Sequence, residues 1–113
     1  MAKKARFYKV HIRTAYRDHE IFYIPVPAPT KYAAEMLIKN HATNVLKVEF
    51  MGWFDIRIEH GGYVERSDMA VFGMSLPNGK EFYYGSNEPG WDYLCSQFQK
   101  KLDDFIDENN SDY

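Results

Sequence analysis

The chain has 113 residues, 45% of them hydrophobic, and no run approaching the roughly 18 apolar residues of a membrane-spanning helix, which excludes helical membrane insertion. Its single cysteine, Cys95, excludes an internal disulfide and fits a reducing, cytoplasmic setting. The net charge of −2 conceals a split: residues 1–47 carry nine Lys/Arg against three Asp/Glu, and residues 48–113 carry five against thirteen.

In chain order, the basic start runs into Phe7-Tyr8-Lys9-Val10-His11-Ile12-Arg13, where a secretory signal would need an unbroken apolar stretch. Its alternation instead predicts a strand, with Tyr8, Val10 and Ile12 on one face and Lys9, His11 and Arg13 on the other. Arg17-Asp18-His19-Glu20 separates it from Ile21 to Ile24, so the two runs read as a hairpin, ended by Pro25, Pro27 and Pro29 because proline removes ladder donors. Thr30 is placed to cap a helix from Lys31 to about Ala42. From Leu46, the apolar residues Val48, Phe50, Phe54, Ile56 and Ile58 fall on even positions, and Gly52 marks a bulge, bend or tight turn within this long extended run.

His60-Gly61-Gly62 predicts a turn, after which Tyr63 to Arg66 and Met69 to Leu76 read as one interrupted strand or two short ones. Pro77-Asn78-Gly79 predicts a hairpin turn into Lys80 to Tyr84. Beyond a loop at Gly85 to Gly90, Trp91, Leu94, Cys95, Phe98, Leu102, Phe105 and Ile106 form the apolar stripe of a last helix reaching about Glu108. The expected fold is a single α+β domain over residues 1–113: an antiparallel sheet of about five or six strands with two helices packed on one face, in the order ββ-α-βββ(β)-α. Residues 1–5 are expected as a basic flexible arm and residues 109–113 as a frayed acidic tail.

Over residues 30–108 the α-β-β-β-α order resembles that of double-stranded-RNA-binding domains. That family opens its final helix with a phosphate-gripping lysine cluster, whereas this chain has Glu88-Pro89-Gly90-Trp91-Asp92. The resemblance therefore implies shared element order and carries no site residue across.

Three surfaces are candidates for binding. If two helices cover one sheet face, Met51 and Trp53 point to the other, with Tyr23, Val71 and Tyr83 expected to join them as an aromatic hot spot; a second mini-core is the alternative. On the last helix Asp103 and Asp107 stand one turn apart, as do Asp104 and Glu108, which reads either as a patch for a basic partner or as an ordinary solvated face. Lys3, Lys4, Arg6, Lys9, Arg13 and Arg17 form a basic head that could meet phosphates, with Phe7 or His11 stacking on bases.

Catalysis has no comparable signature. The four histidines lack metal-ligand spacing, Glu59, His60 and Glu65 make only a loose cluster, and Cys95 falls on an apolar stripe. The expectation is a non-enzymatic protein-binding module, an inhibitor or adaptor of a partner such as a nucleic-acid-handling complex, with no catalytic residue, metal or cofactor. A second copy of the chain is one partner considered, and direct DNA or RNA binding by the basic head is the alternative function.

Overall fold

The computed structural model describes residues 4–13, 21–40, 44–60 and 70–110. Strand β1, Lys4–Arg13, begins earlier than the alternation suggests, and it lies between β2, Ile21–Pro27, and β3, Val45–Asp55, in an antiparallel sheet of order β2-β1-β3. Lys4 and Ala5, expected in the flexible arm, belong to this strand, and Ala5 is fully buried. The prolines at 25 and 27 do not end β2 but lie in it, opposite Lys9 and Phe7. As β2 is an edge strand, the missing proline donors cost the ladder nothing.

Helix α1, Lys31–Lys39, starts where the Thr30 hydroxyl accepts the Ala33 amide proton at 3.0 Å. Its Ala34 and Ile38 pack on Tyr8, Val10, Ile12, Val26 and Val48 to form a first core. Tyr8, Val10 and Ile12 of β1 enter this core as their alternation predicts.

The β1–β3 register shifts so that Phe7 faces Gly52 while Tyr8 faces Phe50, leaving Met51 as the extra residue of a bulge, and Gly52 adopts φ 136°. A second shift lies between His11, opposite Lys47, and Ile12, opposite Val45. After Asp55 the chain turns at buried Ile56 and enters a different sheet as β4, Arg57–His60. There β4 pairs with β5, Ala70–Ser75, which pairs with β6, Glu81–Tyr84. The predicted turn at Pro77-Asn78-Gly79 links β5 to β6, with the Gly79 amide donating to the Leu76 carbonyl at 2.9 Å and the Lys80 amide to Asn78 Oδ1 at 3.0 Å.

The last helix is broken in two, α2 at Trp91–Gln97 and α3 at Gln99–Asn110. The Ser96 hydroxyl donates back to the Tyr93 carbonyl at 2.8 Å, a side-chain bond that competes with the helical ladder and bends helices. Leu94, Phe98 and Leu102 nevertheless keep to one stripe and pack with Phe72, Met74, Tyr84, Ile56, Ala5 and Phe7 in a second core. At the start of α2, Gly90 has φ 98°, and a Cβ there would come within 2.5 Å of the Pro27 ring. Only glycine fits this seat against β2.

The fold is thus α+β and antiparallel as expected, but in place of a single sheet of five or six strands the described residues form two three-stranded sheets. In place of the two helices expected on one face, the described residues form three, with α1 in the first core and α2 and α3 contributing to the second. The physical reason is β1, which buries Ala5 and Phe7 near its start in the second core and Tyr8, Val10 and Ile12, on its other face, in the first. The α-β-β-β-α order accordingly does not form one layered unit, because β3 pairs with β1 from outside that stretch. The Arg17–Glu20 connection, Gly61-Gly62, the Tyr63–Arg66 strand and the continuation of α1 to Ala42 lie outside the described residues. Among the described residues no helix is long and apolar enough to cross a membrane.

Candidate protein-docking surface

The bulge decides which side chains of β3 appear together. Before it, Phe50 shares a face with Tyr8 and Val48; the extra residue resets the phase so that Trp53, opposite Arg6, returns to that face. Phe50 and Trp53 are each 52% exposed, and Leu46 is also exposed on this edge strand. The guanidinium of Arg6 lies over three rings, 5.4 Å from the centroid of Phe50, 5.5 Å from Trp53 and 5.7 Å from Tyr8. Tyr8 meets Phe50 edge-on at 5.6 Å.

Arg6 is held from its backbone. Its amide donates to the Tyr93 hydroxyl at 3.1 Å, and its carbonyl accepts from the Ala28 amide at 3.1 Å. Its Nε is buried with no hydrogen-bond partner. Among the described residues the side chain is positioned by ring contact rather than by a carboxylate, which sets a cation among exposed aromatic surface.

The opposite face of the same sheet is polar. Lys9 Nζ lies 4.9 Å from the Tyr23 ring centroid, and the His11 ring is 5.9 Å from it. Lys47 Nζ is 3.1 Å from Glu49, and His11 Nε2 approaches the same carboxylate at 2.8 Å without hydrogen-bond alignment. Lys47 chiefly, with His11, holds the Glu49 carboxyl below the usual carboxylate range. On the second sheet, Arg57 reaches Ser75 at 2.7 Å and lies near Glu59 and Glu81, while Tyr83 donates to Glu81 at 2.9 Å.

The expected aromatic cluster is therefore taken apart. Met51 packs against the second core, Trp53 stands on the α1 side of the first sheet, Tyr23 on its opposite side, and Tyr83 with half-buried Val71 on the second sheet. The alternation placed Met51 and Trp53 together because it carried one phase through Gly52. The bulge breaks that phase, and in doing so gathers Phe50 and Arg6 around Trp53. Alternation alone sets Phe50 on the core side, and charge alone makes Arg6 a phosphate ligand; the signal in the sequence that joins them is Gly52.

Asp103, Asp104, Asp107 and Glu108 are all exposed on α3, with Gln99 donating to Asp103 at 3.0 Å and Lys100 bridging Asp104 at 3.2 Å. The basic head is divided by the strand pleat: Lys4 and Arg6 project on the docking side, Lys9 and Arg13 on the other, and Lys3 and Arg17 lie outside the described residues. Phe7, offered as a base-stacking ring, is fully buried against Phe54 and Tyr84 and cannot serve.

Comparison with protein-family models, curated proteins and solved structures found no match. The reading of function rests on the chemistry of these surfaces alone. Of the catalytic candidates, the His60 ring packs against Phe105 at 5.0 Å, and Glu65 lies outside the described residues. Burial, and then the charge of Asp92, push the Cys95 thiol up, away from the nucleophilic thiolate.

Proposed function

We propose that this chain is a small non-enzymatic module that binds a partner protein through the Arg6, Phe50 and Trp53 face of β3. The acidic face of α3 acts as a second, electrostatic contact. The observation that carries this reading is the pair of half-exposed rings, 52% each, gathered around one arginine on a rigid strand. Trp, Tyr and Arg are the residues most enriched where interface energy concentrates, and rings fixed by a strand lose little entropy on binding. An inhibitor or adaptor role fits a face whose described residues offer ring and cation contacts to a partner surface.

Affinity capture from native lysate, with and without nuclease, tests the reading. A protein partner should persist after nuclease, and Trp53→Ala should weaken it by about 2 kcal/mol, roughly thirtyfold. The fold should survive, since removing an exposed ring in cation–π contact costs only about 1 kcal/mol. Asp103→Lys should slow association and flatten its salt dependence. Full binding by both variants would remove the proposal.

One observation favours a second reading, direct binding of single-stranded nucleic acid: Lys4 and Arg6 project on the same side as Phe50 and Trp53, a stacking platform beside cations. Affinity that falls steeply with salt, with protein signals lost on nuclease digestion, would favour it.

A further inference from the structure

Resting on the docking face proposed above, we infer that the open edge of β3 pairs with β3 of a second copy of this chain, across a two-fold axis at Val48. The first sheet has two edges of opposite character. Along β2, Pro25 and Pro27 have no amide proton, the Pro25 carbonyl accepts from the Tyr84 hydroxyl at 2.6 Å, and Gly90 is seated against Pro27. That edge is closed. On the outer side of β3 no strand pairs among the described residues.

The backbone alternation tells which β3 groups face outward. Arg6 directs its amide and carbonyl toward the β2 side, so Phe7, Lys9 and His11 direct theirs toward β3; the Arg13 amide, bonded to the Asn44 carbonyl at 3.3 Å, keeps this phase. Glu49 and Lys47, opposite Lys9 and His11, therefore turn their backbone groups inward. Val48 between them, and Phe50 beyond, turn theirs outward.

Charge then selects the register. Centred on Val48, an antiparallel pair sets Lys47 opposite Glu49 of the second copy and Glu49 opposite its Lys47, while Leu46 meets Phe50 twice on the other face. Val48 exchanges two N–H···O=C bonds with its own counterpart. Moving the centre by one residue either way sets Lys47 against Lys47 or Glu49 against Glu49, and like charges directly opposite are destabilising. Lys47 and Glu49 pair with each other within the strand at 3.1 Å, and with 63% and 50% of their side chains exposed that surface pair can exchange for the pairs across the seam.

The register shifts near Leu46 and at Met51–Gly52 bracket this segment and confine the pairing to residues 46–50. The product is a continuous sheet of order β2-β1-β3-β3-β1-β2 with both α1 helices, and their exposed Tyr32 and Met36, on one side. It presents two Arg6 and Trp53 sites roughly 30 Å apart at about 3.3 Å per residue.

Sedimentation equilibrium on wild type, Lys47→Glu, Glu49→Lys and an equimolar mixture of the two variants tests this, with circular dichroism as the folding control. Wild type should sediment as a dimer, and each reversal should raise the dissociation constant roughly tenfold or more by setting like charges opposite. The mixture should recover the dimer, because its mixed pairs are again opposite in sign. A monomeric wild type at all concentrations, or a dimer indifferent to the reversals, overturns the inference. Partner capture that still depends on Trp53 in that case leaves the docking face standing. The charge-swap pattern alongside capture blind to Trp53→Ala supports the dimer and removes the docking face.

Discussion

At the residue scale, Tyr84 has the most defined chemistry. It is buried in the second core, yet its hydroxyl crosses to the first sheet and donates to the Pro25 carbonyl at 2.6 Å. Burial first, and the charge of Glu88 second, raise its pKa above the ordinary tyrosine value of about 10. A raised pKa on a group that is neutral when protonated means that its contribution is complete below the unfolded value and is lost as pH climbs above it. Tyr84→Phe should therefore cost about 1 kcal/mol at neutral pH, the net worth of one hydrogen bond with its acceptor left unpaired. That deficit should shrink as pH rises past about 10, because only wild type loses stability there, Tyr84 ionising in the unfolded chain while the folded protein resists it. Denaturant midpoints for both proteins at neutral and alkaline pH check it; a deficit constant with pH would mean that Tyr84 ionises freely in the folded protein.

At the element scale, β3 turns on Gly52. With φ at 136°, a residue there bearing a Cβ is strained, and the Phe54 ring stands 3.5 Å from where that Cβ would sit. Gly52→Ala should cost roughly 1–3 kcal/mol and shift Trp53 emission, since the bulge sets which way Trp53 faces. Thermal unfolding followed by fluorescence reads both; an unchanged midpoint with unchanged emission would show that the bulge does not need glycine. The same strand shows what was legible in the sequence. Thr30 as a cap, the Asn78-Gly79 turn and the two faces of β1 are local properties, fixed by a few neighbouring side chains, and the chain realises them. Val48 and Ile56 also bury on even positions as the alternation predicts, but in different cores, because the phase resets between them. Periodicity records that a residue is covered and not what covers it. The prolines of β2 are ambiguous in sequence for a related reason: whether a missing donor stops a strand depends on which side its neighbour lies, and that is set by β1, more than ten residues away in the chain.

At the scale of the whole molecule, β1 joins the two cores. Ala5 and Phe7 enter the second, Tyr8, Val10 and Ile12 the first, so neither core is complete without this strand. Phe7 is its most demanding residue, fully buried, edge-on to Phe54 at 5.5 Å and tilted against Tyr84 at 5.8 Å. Phe7→Ala should cost about 3–5 kcal/mol, a large part of the stability a domain of this size commands. If the cores are one cooperative unit, the loss must appear in both. The two tryptophans make this measurable, because Trp53 reports on the first sheet and Trp91, 5.1 Å from the Phe72 ring, on the second core. In Trp53→Phe and Trp91→Phe backgrounds, each retaining one reporter, the denaturant transitions should coincide, and Phe7→Ala should lower both midpoints equally. Transitions that separate, with Phe7→Ala moving only the one seen by Trp91, would mean that β1 docks on the second core without coupling it to the first. The docking face would then sit on a unit that folds by itself.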